Sequence, residues 1–180
     1  MAKTRVIKVH PQNPDLDALA EAAAILRAGK AIAFPTETVY GLGALSRFNE
    51  AIEGIYKLKG RDHSKPLAYH VANYEFLELV KPKDPRTFLY LAKIFWPGPL
   101  TLIAEDISGA VLGFRMPQHT VARILIELCG EPLMATSANP SGGKSPLMPA
   151  EVLSYFDGKI DLLIDSGKCE LANDSTIVDI

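Results

Sequence analysis

Short apolar runs that break off into polar or glycine-rich loops recur along this chain, alternating with segments of helical periodicity. An apolar run of four to six residues closed by proline or glycine is too short for a stable helix and buries well as a strand. Ala31-Ile32-Ala33-Phe34, closed by Pro35, reads this way, as do Leu67 to Val71, residues 100–104, 111–115, Pro132 to Ala135, 161–164 and 175–179. A short alternation of Val6, Ile7 and Val9 precedes them. Leu16, Leu19, Ala23 and Leu26 recur at helical spacing after Asn13-Pro14-Asp15. There Asn caps the free N–H groups, Pro fits the first turn, Asp meets the positive end of the dipole, and Gly29 supplies the stop. Helical patterns also cover 49–58, 86–95, 119–129 and a stretch near 149–156. The 86–95 helix ends at Trp96-Pro97-Gly98-Pro99, which cannot continue it, and the 119–129 helix carries Val121, Leu125 and Leu128 on one side. No repeat, linker or composition break interrupts this order, which constrains the chain to a layered domain of helices on a sheet.

At 180 residues and 48% hydrophobic content the chain has enough core to fold without a disulfide or metal staple. Nineteen Lys and Arg against 21 Asp and Glu leave a formal charge of −2, without the basic surplus of a protein that grips nucleic acid through its phosphates. The positive charge is local instead, around Lys59, Arg61, Lys65 and Arg115. Cys129 and Cys169 stand 40 residues apart with no CxxC spacing, so neither a zinc set nor a disulfide framework is expected. The four histidines, 10, 63, 70 and 119, show no metal-ligand spacing either. The first 15 residues lack the apolar core of a signal peptide, and no stretch approaches a membrane span, so the expectation is a cytoplasmic protein with no membrane contact.

Four polar segments directly follow or end apolar strands, where open sheets place their ligands. Pro35 to Gly43, PTETVYGLG, offers hydroxyls and a carboxylate, and Gly41 and Gly43 permit positive φ or close ligand approach. Ser46 stands where the third glycine of GxGxxG belongs, which excludes a dinucleotide fingerprint. Lys57-Leu58-Lys59-Gly60-Arg61, followed by Lys65-Pro66, is the densest positive cluster. Gly60 and Pro66 favour an extended segment, which puts Lys59 and Arg61 on one face, toward a polyphosphate, where a helix would point them apart. Met134 to Ser145 ends in Gly143-Lys144-Ser145, but Ala138 and two prolines exclude a Walker A loop; its hydroxyls, amide and glycine N–H groups still suit phosphate or adenine. Arg115 ends an apolar strand, where it must pair with a carboxylate of the protein or of a ligand. His70 is either a satisfied core histidine or a site residue. No GxSxG elbow supports acyl-enzyme chemistry.

In order, PTETVYGLG, KGR, KPLAYH, WPGPLT, FRMP, TSANPSG and DSTIVD resemble the YrdC-like threonylcarbamoyl-AMP synthase family over nearly the whole chain from about residue 14. The resemblance implies an α+β (mixed α/β) fold: a single three-layer domain, residues 1–180, around a twisted mixed β-sheet with a large positively charged cavity. It implies an L-threonylcarbamoyladenylate synthase, a nucleotidyltransferase that joins L-threonine, bicarbonate or CO2 and ATP, releases pyrophosphate, and serves modification of the adenosine next to the anticodon in tRNA. The implied catalytic residues are Lys59 and Arg61. Threonine positions fall on Thr38, His70, Arg115, Ser137 and Ser175, and ATP positions on Lys59, Arg61, Lys65, Ser137 and Asn139. No carboxylate pair for Mg2+ is visible, so no protein metal site is expected and the ion would ride on the triphosphate. Implied partners are tRNA and the proteins that complete its modification. Relatives continue past the last motif through an Arg-Pro-Gly segment, and longer ones carry a second C-terminal domain; none is expected within these 180 residues. Two other readings share the fold: a non-catalytic module that binds double-stranded RNA, tRNA or the ribosome, and a paralogue with another carbamoyl or acyl acceptor.

Overall fold

The apolar runs assemble side by side. In the computed structural model, which describes residues 3–79 and 81–180, the order is β1 (Arg5–Lys8), α1 (Leu16–Arg27), β2 (Ile32–Phe34), β3 (Gly41–Leu45), α2 (Asn49–Lys59), β4 (Ala68–His70), a 3-10 helix (Tyr74–Leu79), α3 (Pro85–Phe95), β5 (Leu100–Glu105), β6 (Val111–Arg115), α4 (Thr120–Cys129), β7 (Leu133–Ser137), α5 (Pro149–Phe156), β8 (Leu162–Asp165) and β9 (Thr176–Asp179). The nine strands form one mixed sheet in the order β1-β8-β2-β3-β7-β4-β6-β5-β9. β1, β2 and β8 run parallel, β3 and β7 antiparallel, and β9 lies parallel to β5 at the far edge.

Alternation along the strands sorts the layers. Ile32, Phe34, Leu162 and Ile164 face α1 and α4, while Ala33 and Leu163 between them face α2 and α5. Phe34 is fully buried, a contribution of about 1.5–3 kcal/mol relative to exposure. On the other half of the sheet Leu102 and Phe114 pack under Phe88 and Ala92 of α3. The expected mixed fold with a covered sheet is therefore present.

Local details differ from the sequence reading in four places. Asp15, not Asn13, caps α1, its carboxylate accepting from Asp17 N at 2.9 Å and Ala18 N at 3.4 Å. Asn13 and Pro14 precede the helix, because one ionised carboxylate already meets the free N–H groups. On α4 the buried stripe runs through Val121, Ala122, Leu125, Ile126 and Cys129, so Leu128 falls at its margin and is exposed. The 3-10 helix had no apolar period to announce it. β3 was hidden by its glycines. Gly41 and Gly43 do not use positive φ; they let strands and rings approach, since a Cβ on Gly43 would lie 2.9 Å from Ala135 Cβ and 3.0 Å from Met134 O. Gly43→Ala should therefore destabilise the fold by about 1–3 kcal/mol, read as a lower urea midpoint with an unchanged slope.

Candidate functional site

The half of the sheet opposite α3 forms the floor of a cavity of about 400 Å³. Period-two alternation aims Ala68 and His70 of β4, Thr101 and Ile103 of β5, Gly113 and Arg115 of β6, and Ala135 and Ser137 of β7 into it. Gly41, Ala68, Gly113 and Ala135 keep the floor low, and the polar residues of the same rows supply its chemistry. Asp174, Ser175 and Ile177, entering β9, make one wall.

One end is cationic. α2 runs to Lys59, so the segment is not extended as expected; Gly60 turns in the left-handed region at φ +60° and still delivers both Lys59 and Arg61 to the cavity. Lys59 Nζ donates to the backbone carbonyls of Ser137 and Asn139, and its own carbonyl accepts from Ser141 N at 2.7 Å. Arg61 Nε donates to Lys65 O at 2.7 Å and Nη2 to Pro66 O at 3.1 Å. Among the described residues neither cation has a carboxylate partner. Burial, and then the Arg61 charge, pull the Lys59 pKa down to about 8. The adjoining loop is stapled by Asn139, whose Nδ2 donates to Pro140 O at 2.9 Å and Gly143 O at 2.7 Å, leaving Oδ1 buried without a partner.

The other end is neutral. Arg115 Nη2 donates to Glu37 Oε1 at 2.9 Å and to Thr38 Oγ1 at 2.6 Å, and all three residues are buried. Thr36 Oγ1 donates to Val39 O at 2.7 Å, accepts from Thr38 N and Val39 N at 3.2 Å each, and lies 2.9 Å from Thr38 Oγ1. His70 Nδ1 lies 3.1 Å from Ala68 O and must be the donor there, which leaves Nε2 as an acceptor. Burial, reinforced by the Arg115 charge, pushes the His70 pKa down to about 3, so the ring is uncharged at neutral pH.

Of the residues singled out from sequence, the cavity gathers Lys59, Arg61, His70, Arg115, Ser137, Asn139 and Ser175. Thr38 sits behind Arg115, outside the lining, and Lys65 is exposed, contributing its carbonyl to Arg61. Sequence reasoning missed Glu37 and Thr101. Thr101 lines the cavity and its Oγ1 is 2.8 Å from Ser175 Oγ; its signal was a polar residue between Leu100 and Leu102 in an apolar strand. Both cysteines are free and buried, and no helix among the described residues is long and apolar enough to cross a membrane.

A mixed sheet with a cavity that has one cationic and one neutral polar end is suited to an anionic and a net-neutral ligand side by side. The comparisons name the class. The model of the Sua5/YciO/YrdC family, described as telomere recombination, matches residues 24–180. The threonylcarbamoyl-AMP synthase of Pyrococcus abyssi is 43% identical over 168 residues, covering 88% of this chain and 49% of its own. The synthase of Marinobacter nauticus is 32% identical, with 93% of this chain and 94% of its own covered. The crystal structure of P. abyssi Sua5 complexed with L-threonine superposes with a TM-score of 0.93 at 39% identity, covering 98% of this chain and 54% of that one. The chain belongs to the Sua5/YciO/YrdC family, and it spans about half the length of several curated relatives it matches, 49% in the P. abyssi and Bacillus subtilis synthases.

An anion at the Lys59 end binds the protonated ammonium, which exists below pH 8 and is lost above it. With ATP as a probe polyanion, whose own charge is constant above neutrality, binding should weaken as pH rises from 7.5 to 9.5, by up to about tenfold per unit. Calorimetry across this range should show the bend in the wild type and a weaker, flat profile in Lys59→Gln.

Proposed function

We propose that this chain makes threonylcarbamoyl-adenylate and pyrophosphate from L-threonine, bicarbonate or CO2, and ATP, acting in the cytoplasm on the path to threonylcarbamoyl-adenosine in tRNA. The observation that carries the reading is the contrast between the two ends of the cavity: Lys59 and Arg61 without carboxylate partners, and Arg115 neutralised by Glu37. A polyphosphate fits the first and a zwitterion the second. The named activity of the relatives and the threonine held by P. abyssi Sua5 support it.

In this reading the threonine carboxylate meets Arg115 and the Ser137 and Ser175 hydroxyls, with Thr38 holding Arg115 from behind. The ammonium, facing the His70 acceptor, releases its proton to solvent and the amine lone pair attacks the carbon of CO2; the second nitrogen proton also leaves to solvent as the carbamate forms. A carbamate oxygen then attacks the α-phosphorus in line; the bond to the bridging oxygen of the β-phosphate breaks and pyrophosphate leaves. Such a transfer requires placement and charge stabilisation more than a covalent enzyme intermediate. Lys59 and Arg61 stabilise charge on the phosphates, and the Asn139 to Gly143 loop cradles the nucleotide. In this reading Mg2+ arrives on the triphosphate, and Asp174 is the carboxylate on the cavity wall. The product is a mixed anhydride whose consumer is the tRNA-modifying partner proteins.

Labelled threonine incubated with bicarbonate and Mg-ATP should yield the adenylate and one pyrophosphate. Lys59→Ala or Arg61→Ala should lower turnover by on the order of 10²-fold or more. Pyrophosphate release that ignores threonine, or none at all, would contradict the assignment.

A further inference from the structure

Glu37 has no role in the chemistry above, yet its carboxylate is buried against the guanidinium of Arg115. Both hydrogens of Arg115 Nη2 are committed, to Glu37 and Thr38, and Nε is buried without a partner. Nη1 is the nitrogen left for a ligand, so the two-pronged grip that arginine usually offers a carboxylate is already spent inside the protein. Glu37 Oε2 accepts no hydrogen bond. The pair is a closed unit of zero net charge, with the uncharged His70 ring beside it in the cavity wall.

An unpaired buried guanidinium attracts any small anion. With Glu37 in place, a monoanion brings an unbalanced negative charge into a poorly solvated site, whereas a zwitterion brings none. The zwitterion also uses what the wall offers: Nη1 for its carboxylate, and an acceptor without a hydrogen to give, His70 Nε2, for its ammonium.

We propose that Glu37 is the specificity-determining residue of the Arg115 end: by neutralising Arg115 it makes that end select a zwitterionic amino acid and reject anions of similar size. The inference rests on threonine occupying this end.

The test is calorimetry of the full chain with L-threonine, 3-hydroxybutyrate (the same molecule without its amine) and inorganic phosphate. In the wild type, 3-hydroxybutyrate should bind at least about tenfold more weakly than threonine, and phosphate should compete with ATP while leaving threonine binding unchanged. Glu37→Gln keeps the shape and the acceptor but removes the charge; it should narrow the gap between the two ligands by about tenfold, with 3-hydroxybutyrate tightening. Glu37→Asp should keep the wild-type order. A Glu37→Gln variant with the wild-type ratio overturns the proposal alone. A wild type that binds 3-hydroxybutyrate as tightly as threonine overturns it even if the variant does not fold. A wild type that does not bind threonine overturns both this proposal and the threonine reading beneath it.

Discussion

The buried ammonium of Lys59, donating to the carbonyls of Ser137 and Asn139, is the contact on which the site's architecture depends. A cation removed from water needs partners at once, and here they are backbone oxygens at the point where β7 becomes a loop. The contact fastens the end of α2 to the end of β7, and the Lys59 carbonyl returns the tie through Ser141 N. From there the connections spread. Ala138 N donates to Tyr40 O, Tyr40 N to Pro146 O and the Tyr40 hydroxyl to Gly167 O, so the loops after β2, β7 and β8 share one scaffold.

The choice of partner separates the two buried cations. Carbonyl dipoles satisfy Lys59 without cancelling its charge, whereas Glu37 cancels that of Arg115. In the proposed reading that difference orients the ligands, a polyphosphate toward Lys59 and Arg61 and the amino acid toward Arg115. Between the two ends the floor is made of small residues, Ala68, Gly113 and Ala135, which in the same reading leave room for the carbamate and the α-phosphate to meet.

Much of this was legible in the residues, and the exceptions have physical causes. Apolar runs closed by proline or glycine marked most strands, because burial and backbone breakage are local properties. β3 was not marked, because Gly41 and Gly43 serve the approach of neighbouring strands, which only the fold supplies. A left-handed Gly60, not the extended segment that the residue types favour, brings Lys59 and Arg61 to one cavity. Thr38 carries a hydroxyl, but whether its hydrogen is free depends on Thr36 and Arg115, from a strand far along the chain. Glu37 could be read as a carboxylate in a polar loop; its pairing with Arg115, 78 residues away, could not.

A crystal structure with L-threonine and a non-hydrolysable ATP analogue tests the central claim most directly. The account predicts both ligands in the one cavity, phosphates against Lys59 and Arg61, the threonine carboxylate on Arg115 Nη1, and the Arg115–Glu37 pair intact. Phosphates seated on Arg115, or threonine at the Lys59 end, would contradict it.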